Sequence, residues 1–343
     1  MSAAVWHTGD VRQLLAAMPD QSVHSVITSP PYWRKRRYLP PDHPDADKEI
    51  GQESSPGEFL ATLLALTDEL WRIVRDDGTI WVNLGDTAAG SGGAGGDYNE
   101  GGERAGQNRW KAASWPTDGV AAERGFPLRK STCWIPELFG ASLAYGRNLL
   151  TGGPCRQWVV RPKVTWVKPR VAPGQCDDRF RTATELIVWA AKRRDYYFDA
   201  AAIAQERADS PGNRYVRKVR ATDHMRRPNG STAASTDNRI TKAYDPAASD
   251  KGVPPLDWWA IDPSGYDGAH FATFPPELIV RPVIASCPEG GTILDPFGGS
   301  GTTAAVATGH GRNCISFDLD ERNLHLARER VGMFLTEAEG APA

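Results

Sequence analysis

The chain has 343 residues, and 40 Lys and Arg against 42 Asp and Glu give a formal charge of −2 at neutral pH. Its 40% hydrophobic and 24% charged residues are typical of a folded protein, which excludes a disordered chain, and the length predicts about two domains or one large α/β domain with insertions. No apolar run reaches the ~18–20 residues of a membrane span, and the five scattered cysteines lack metal-ligand spacing, so we expect a cytoplasmic protein without a metal.

The N-terminal part predicts a strand, a helix and a second strand. The first is a buried strand over Val23–Thr28 that ends at two prolines. Apolar residues at helical spacing, with a proline at the start, predict a helix over Pro56–Arg75. A turn at Asp76–Gly78 then leads into the strand Thr79–Leu84. This order is typical of a parallel sheet covered by helices.

The middle of the chain has a weaker pattern. The segment 88–130 opens with eight glycines in its first 20 residues, so we predict a mobile insertion there. The elements predicted next are a weak helix over Ile135–Tyr145 and strands within Gln157–Val167 and over Glu185–Ala190. Residues 201–264 again lack a regular period.

The last quarter of the chain has the clearest pattern. Its predicted elements are a helix over Pro276–Ser286, a strand over Thr292–Asp295, a helix over Thr302–Thr308, a strand over Cys314–Asp318 and a helix over Glu321–Leu335. The glycines between Asp295 and Thr302 let the backbone approach a ligand closely, which is typical of nucleotide binding. Asp318 ends the next strand, where a carboxylate can accept hydrogen bonds from ribose hydroxyls. Only 42 residues follow Gly301, so the other strands of the sheet come from upstream, which predicts a circular permutation.

The segment Thr28–Trp33, which reads Thr-Ser-Pro-Pro-Tyr-Trp, follows the first predicted strand. The active residues of α/β proteins lie at this end of a strand. The two prolines fix φ and leave the carbonyls of Ser29 and Pro30 without neighbouring N–H donors. Rigid acceptors beside an aromatic ring suit a planar base with an exocyclic amine, on which Tyr32 can stack.

Together with Asp295–Thr303 (Asp-Pro-Phe-Gly-Gly-Ser-Gly-Thr-Thr), this segment resembles the amino-group DNA methyltransferases that use S-adenosylmethionine. The catalytic segment comes before the cofactor segment, as in the permuted β group of that family. The resemblance implies a Rossmann-like, circularly permuted α/β methyltransferase fold with an inserted target-recognition region. It implies catalytic roles for Ser29, Pro30, Pro31 and Tyr32. The implied cofactor-binding residues are Asp10, Thr28, His270, Phe271, Thr273, Phe274, Asp295, Pro296, Phe297, Gly299, Ser300, Gly301, Thr302, Thr303 and Asp318.

The target base is indicated by Ser29. In the enzymes that this sequence resembles, serine at the first position is found mostly with methylation of cytosine N4, and Asp or Asn mostly with methylation of adenine N6. We therefore favour cytosine N4, with adenine N6 as the alternative. Two interpretations from other classes stay open. A nicotinamide-dependent oxidoreductase would use Gly299, Gly301 and Asp318 but would not account for the proline pair, and a catalytically silent module would bind DNA without methylating it.

Basic residues cluster in two places although the net charge is near zero. Seven basic residues against two acids lie between 207 and 227, and four more follow the catalytic segment. Such clusters can contact phosphates of double-stranded DNA. The predicted DNA-binding residues are Arg34, Lys35, Arg36, Arg37, Arg214, Arg217, Lys218, Arg220, Arg226 and Arg227. We place the target-recognition region at 200–265 and the catalytic domain at 1–199 and 266–343. A partner restriction endonuclease and a monomeric or homodimeric state stay open.

Overall fold

The structure is a computed structural model that describes residues 2–40, 42–89, 125–171, 178–205, 252–263 and 274–338. The chain divides into a large unit, Met1–Phe198 with Asp257–Ala343, and a small unit, Asp199–Leu256. In the small unit, Gln205 and Val253 form an isolated antiparallel bridge. Most of the predicted insertion 88–130 and most of 200–265 lie outside the described residues, so these assignments stay predictions.

The large unit is built on a mixed β-sheet. Its described strands are β1 (Ala4–Thr8), β2 (Val23–Thr28), β3 (Val74–Leu84), β4 (Val159–Val160), β5 (Val164–Val167), β6 (Thr184–Ala191), β7 (Trp258–Ala260), β8 (Thr292–Asp295), β9 (Asn313–Asp318) and β10 (Leu335–Glu337). They lie in the order β10-β1-β9-β8-β2-β3-β6-β5-β7, and β4 pairs with β6. All pairs from β10 to β3 are parallel, whereas β6 runs antiparallel to β3, β4 and β5. The strand β7, inside the predicted recognition region 200–265, pairs with β5 of the large unit.

Helices cover both faces of this sheet. They are α1 (Val11–Ala17), α2 (Pro56–Ile73), α3 (Ile135–Tyr145), α4 (Pro276–Ser286), α5 (Thr302–Gly309) and α6 (Asn323–Val331), with short 3-10 turns at Ala46–Lys48 and Gly332–Phe334. Val26 and Ile27 are neighbours in β2 and therefore point to opposite faces. Val26 packs in one apolar cluster with residues of α1, α2 and α3, and Ile27 packs in another with residues of α4 and α5.

The helix α2 shows how the sequence specifies these elements. Ser55 accepts a hydrogen bond from the N–H of Glu58 at 3.2 Å, and Pro56 occupies the first turn, where its missing N–H costs nothing. Phe59 and Leu63 lie one helical turn apart and are buried against the sheet. An N-cap and an apolar stripe thus set both the start of α2 and the face that it buries.

The parallel strands bring several polar residues to one edge of the sheet. The strands β1, β9, β8, β2 and β3 all point the same way, so their carboxyl ends lie together. Asp318, Asp295 and Thr28 end three of these strands, and Asn83 is the penultimate residue of β3. This is the edge at which α/β proteins bind ligands.

Most predicted elements are confirmed, but the boundary between α2 and β3 and the bounds of the last helix are wrong. The helix predicted to reach Arg75 ends at Ile73, and β3 starts at Val74 without the predicted turn at Asp76–Gly78. The pairing of β2 and β3 shifts register here, and a Cβ on Gly78 would lie 2.6 Å from a main-chain oxygen of β2, so glycine permits the bulge. The helix predicted to reach Leu335 ends at Val331, because the next residue is a glycine with φ +65°.

None of the helices in the described part of the chain is long and apolar enough to cross a membrane. Nor does that part contain a group of three or more His, Cys, Asp or Glu side chains that could hold a metal ion.

Candidate active site

A cleft opens at the carboxyl edge of the sheet. It is lined by Asp10, Val11, Ser29, Pro31, Tyr38, Leu39, Lys48, Glu49, Ile50, Phe274, Phe297, Gly298, Gly299, Ser300, Thr302, Asp318, Leu319, Asp320 and Asn323. Ser29 and Pro31 come from the segment after β2, and Gly299 and Ser300 come from the turn after β8. The fold therefore brings the predicted catalytic segment and the predicted cofactor segment, from opposite parts of the chain, to one cavity.

The glycine turn between β8 and α5 packs closely against its neighbours. A Cβ on Gly298 would lie 2.9 Å from the ring of Trp6, and a Cβ on Gly301 would lie 2.9 Å from the Cβ of Ala327. Gly301 also has φ +78°, a conformation that other residues rarely adopt. Glycine is therefore required at both positions to let the turn pass under the cleft and enter the helix.

Asp318 ties this turn to the end of β9. Its carboxylate accepts hydrogen bonds from the N–H of Gly299 at 2.8 Å, the N–H of Asp320 at 2.8 Å and Nδ2 of Asn323 at 3.0 Å. Burial of the carboxyl group nevertheless raises its pKa to about 7. Asp318 thus lines the cleft with a carboxyl group that holds the turn and can still accept from a ligand hydroxyl.

Other predicted cofactor residues lie beneath the cleft instead of lining it. Thr28 donates to Asp295 Oδ1 at 2.6 Å, and Phe297 N donates to the same oxygen at 3.1 Å. Thr28 and Asp295 are both buried, and burial raises the pKa of Asp295. This contact joins the ends of β2 and β8. Pro296, Gly301 and Thr303 are also buried and do not line the cleft.

The remaining predicted cofactor residues fall into two groups. Asp10 lines the cleft and caps α1, since its side chain accepts from Arg12 N at 3.0 Å. Phe274, Phe297, Ser300 and Thr302 also line the cleft. His270, Phe271 and Thr273 lie outside the described residues, so their roles stay predictions.

The catalytic segment presents a hydroxyl group beside the main chain of β3. Ser29 Oγ donates to the carbonyl of Asn83 at 3.2 Å and lies 3.5 Å from the hydroxyl of Tyr32. The Tyr32 hydroxyl donates to Glu185 Oε2 at 2.8 Å and accepts from Asn83 Nδ2 at 2.8 Å. Burial and the charge of Glu185 raise the pKa of Tyr32 well above its ordinary range, so the phenol stays a donor.

The basic residues after this segment do not share one environment. Arg34 has φ +53°, donates to the carbonyl of Ser54 at 3.2 Å and stacks 5.1 Å from the centre of the Trp33 ring. Arg36 and Arg37 are partly buried, whereas Lys35 is exposed. Of these four, Lys35 has the environment most suited to a phosphate contact. The predicted group Arg214, Arg217, Lys218, Arg220, Arg226 and Arg227 lies outside the described residues.

The family follows from a model described as DNA methylase, of the N6/N4 methyltransferase type, which matches residues 23–329. The chain belongs to this DNA methylase family. It is an S-adenosylmethionine-dependent methyltransferase that modifies an amino group of DNA, N4 of cytosine or N6 of adenine. The methylase therefore has the enzyme class predicted from its two motifs, and the oxidoreductase interpretation is excluded.

Curated relatives of the methylase carry names from restriction–modification systems. It is 29% identical over 331 residues to the type II methyltransferase M.Cfr9I of Citrobacter freundii, covering 96% of this chain and 88% of the relative. It is 27% identical over 326 residues to the type II methyltransferase M.SmaI of Serratia marcescens, covering 94% of this chain and 89% of the relative.

Solved structures show the same fold. The PvuII DNA methyltransferase, titled cytosine-N4-specific, matches with a TM-score of 0.57 at 16% identity, covering 96% of this chain and 86% of that chain. A putative DNA modification methylase from Thermus thermophilus matches with a TM-score of 0.51 at 20% identity, covering 99% of this chain and 100% of that chain. The predicted α/β fold is thus confirmed at the level of the mixed sheet and its helices.

Several residues that line the cleft of the methylase were not predicted from the sequence, among them Glu49. Glu49 accepts from the N–H of Tyr38 at 2.6 Å, and its burial raises the pKa to about 7. It lies in an irregular stretch before α2, without a motif or a periodic pattern that would have marked it. Its contact holds the main chain of the loop that follows the catalytic segment.

Proposed function

We propose that the methylase transfers a methyl group from S-adenosylmethionine to N4 of cytosine in double-stranded DNA, with N6 of adenine as the alternative target. Ser29 carries this proposal. Its hydroxyl donates to the carbonyl of Asn83, so its lone pairs remain to accept from the amino group of a base. A neutral serine acceptor at this position resembles the cytosine-N4 enzymes, whereas an Asp or Asn would resemble the adenine-N6 enzymes.

The chemistry requires activation of a weak nucleophile. The amino nitrogen of cytosine has its lone pair delocalised into the ring. Hydrogen bonds from its two N–H groups to Ser29 Oγ and to the Pro30 carbonyl favour a pyramidal nitrogen with a localised lone pair. The protein therefore contributes positioning and electrostatic stabilisation, without a strong base.

The base must leave the duplex before it can reach Ser29. Extrusion of a base costs a few kcal/mol of stacking and pairing, which a new stacking partner offsets. We assign this role to the ring of Tyr32, three residues beyond Ser29. Its rigid link through two prolines sets the distance between the acceptor and the stacking ring.

The residues of the cleft suit S-adenosylmethionine, which supplies a methyl group on a positively charged sulfonium sulfur. Four carboxyl groups, those of Asp10, Glu49, Asp318 and Asp320, line the cleft and can accept hydrogen bonds from the hydroxyl and amino groups of the cofactor. Ser300 Oγ is buried without a hydrogen-bond partner, which supports its assignment to a polar group of the cofactor. We assign Asp318 to the ribose hydroxyls and Asp10 to the adenine.

We also propose a circularly permuted fold, a DNA-recognition region and a cellular location for the methylase. In chain order the catalytic strand β2 precedes the cofactor strand β8, yet the two are neighbours in the sheet, which supports a circularly permuted Rossmann-like fold. We propose that residues 200–265 recognise the target sequence and that Lys35 contacts phosphates. The protein would act in the cytoplasm as a monomer or homodimer, with or without a partner restriction endonuclease.

Mass spectrometry of nucleosides tests the proposed target. DNA is incubated with the protein and S-adenosylmethionine, digested and analysed. We expect N4-methylcytosine, and none from a Ser29→Ala variant that still binds the cofactor in calorimetry. N6-methyladenine as the product would select the alternative target, and methylation by Ser29→Ala at the wild-type rate would refute the role of Ser29.

A further inference from the structure

The ring of Tyr32 lies directly on the main chain after β3. A Cβ on Gly85 would lie 2.3 Å from Cε2 of the ring and 2.6 Å from Cδ2. No side chain fits between the ring and this backbone. The contact fixes one side of the ring, although Gly85 is 53 residues away in the sequence.

The hydroxyl group of Tyr32 is fixed from two further elements. It donates to Glu185 Oε2, and Asn83 Nδ2 donates both to Tyr32 (2.8 Å) and to Glu185 Oε2 (3.2 Å). An ionised carboxylate only accepts, so Glu185 fixes which way the Asn83 amide faces. The three side chains therefore have one consistent arrangement of donors and acceptors.

Glu185 is itself held by a cation. Lys168 forms an ion pair with Glu185 Oε1, and the side chains of the pair are 20% and 18% exposed. The Lys168 ammonium also lies 4.3 Å from the centre of the Trp166 ring. Because Trp166 pairs with Glu185 across β5 and β6, the carboxylate is held on the framework of the sheet.

We infer that Glu185 is a positioning residue, which holds the Tyr32 ring in place for the extruded base, and that Asn83 and Lys168 hold Glu185. The inference rests on the proposed stacking role of Tyr32. A tyrosine ring that is held before DNA binds loses no rotational freedom when the base stacks on it. An unheld ring would turn about its side-chain bonds and would stabilise the extruded base less.

A double-mutant cycle with a base-extrusion readout tests this inference. The variants are Glu185→Ala, Glu185→Gln, Tyr32→Phe and the double variant Glu185→Ala/Tyr32→Phe. The probe is a DNA duplex that contains the sequence the protein methylates, with 2-aminopurine in place of the target base. The fluorescence of 2-aminopurine rises when this base leaves the duplex, and the measurement needs no cofactor. We expect Glu185→Ala to lower the equilibrium constant for extrusion, and kcat with it, by roughly tenfold, as for a lost hydrogen bond to a charged group.

The effect should pass through the Tyr32 hydroxyl. In the Tyr32→Phe background, Glu185→Ala should therefore have little further effect, and KM for S-adenosylmethionine should not change. Glu185→Gln keeps an acceptor but not the charge, so it should fall between the wild type and Glu185→Ala. If Glu185→Ala does not fold, the same extrusion and kcat measurements are made on Glu185→Gln.

A matched control is Glu137→Ala. It removes a glutamate of α3 whose Oε1 lies 3.7 Å from Nζ of Lys163 in an ion pair. It should leave fluorescence and kcat unchanged. An equal loss from Glu185→Ala in both backgrounds, or a loss from Glu137→Ala of the same size, would overturn the inference. A wild-type protein that methylates DNA without a rise in fluorescence would instead overturn the stacking role of Tyr32.

Discussion

The proposed active site has a cofactor half and a catalytic half, which are built in different ways. The cofactor half is a local structure, in which three glycines follow one strand and a carboxylate at the end of the adjacent strand holds the turn. The catalytic half depends on residues far apart in the sequence. Its tyrosine lies on Gly85 and is held by Glu185, 153 residues away.

The difference shows why the two halves should respond differently to substitution. In the cofactor half the backbone itself makes the close contacts, so a change that adds a Cβ should be severe there. In the catalytic half the close contacts join the Tyr32 side chain to separate strands, through Gly85 after β3 and Glu185 in β6. Changes in these strands should lower methyl transfer while leaving cofactor binding intact.

Gly301→Ala should have the largest effect on the cofactor half. The new Cβ would lie 2.9 Å from Ala327 Cβ, at a residue with φ +78°. We expect roughly a 100-fold loss of S-adenosylmethionine affinity in calorimetry, because strain of about 1–3 kcal/mol must be relieved by moving the turn. The control is Gly309→Ala in the same helix, where nothing lies within 4 Å of the new Cβ. Equal affinities for the two variants would contradict the close packing of the turn.

Glu49→Gln should change how stability depends on pH. The pKa of Glu49 is raised from 4.5 to about 7 in the folded protein. Between these values the folded protein holds a proton that the unfolded chain releases, so the free energy of unfolding falls as pH rises through this window. Glutamine cannot release a proton, and the variant should therefore be more stable than the wild type by about 1–3 kcal/mol at pH 8.

Urea unfolding at pH 4.5 and pH 8 measures this difference. The wild type and the variant should be similar at pH 4.5 and separate at pH 8. The raised pKa of Asp318 should leave part of the pH dependence in both proteins. An exposed carboxylate, Glu329, gives the control variant Glu329→Gln, which should follow the wild type. A Glu49→Gln protein less stable than the wild type at pH 8 would contradict the raised pKa.

Lys35→Ala should have the smallest of these effects. Its comparison with Arg34→Ala distinguishes the roles of two neighbouring basic residues. Lys35 is exposed, so its loss should weaken DNA binding and lower the slope of log affinity against log salt by about 1. Arg34 instead donates to Ser54 and stacks on Trp33, so Arg34→Ala should lower the melting temperature with little change in the slope. Filter binding over a range of salt concentrations separates them, and a larger change of slope in Arg34→Ala would reverse the assignment.

The sequence predicted those helices and strands that have a sustained periodic pattern or a clear boundary residue. The helix α4 and the strands β2 and β8 have the predicted boundaries. The strands β1 and β10 were not predicted, because a short strand at the edge of the pattern has too few residues to show alternation. The predicted end of α6 was wrong because Gly332 ends the helix, although the helical pattern of the sequence continues past it.

The candidate site was predictable where it is local. The Ser-Pro-Pro-Tyr segment and the glycine turn are each contiguous in the sequence, and each contributes residues to the lining of the cleft, Ser29 and Pro31 from the first and Gly299 and Ser300 from the second. Glu49, Asn83 and Glu185 could not be assigned, because each is a single polar residue whose role depends on which strands are neighbours. Thr28 and Asp295 are joined to each other beneath the cleft, and their predicted contact with the cofactor stays a prediction.

We propose that the placement of the Tyr32 ring serves methyl transfer and not cofactor binding. The variant Gly85→Ala tests this role, because its Cβ would lie 2.3 Å from the ring. Single-turnover methyl transfer and calorimetric binding of S-adenosylmethionine are measured on the same preparations, with Gly309→Ala as the control. We expect methyl transfer to fall by roughly 100-fold, as for a displacement of about 1 Å, with unchanged cofactor affinity. Unchanged transfer, or a parallel loss of cofactor affinity, would contradict it.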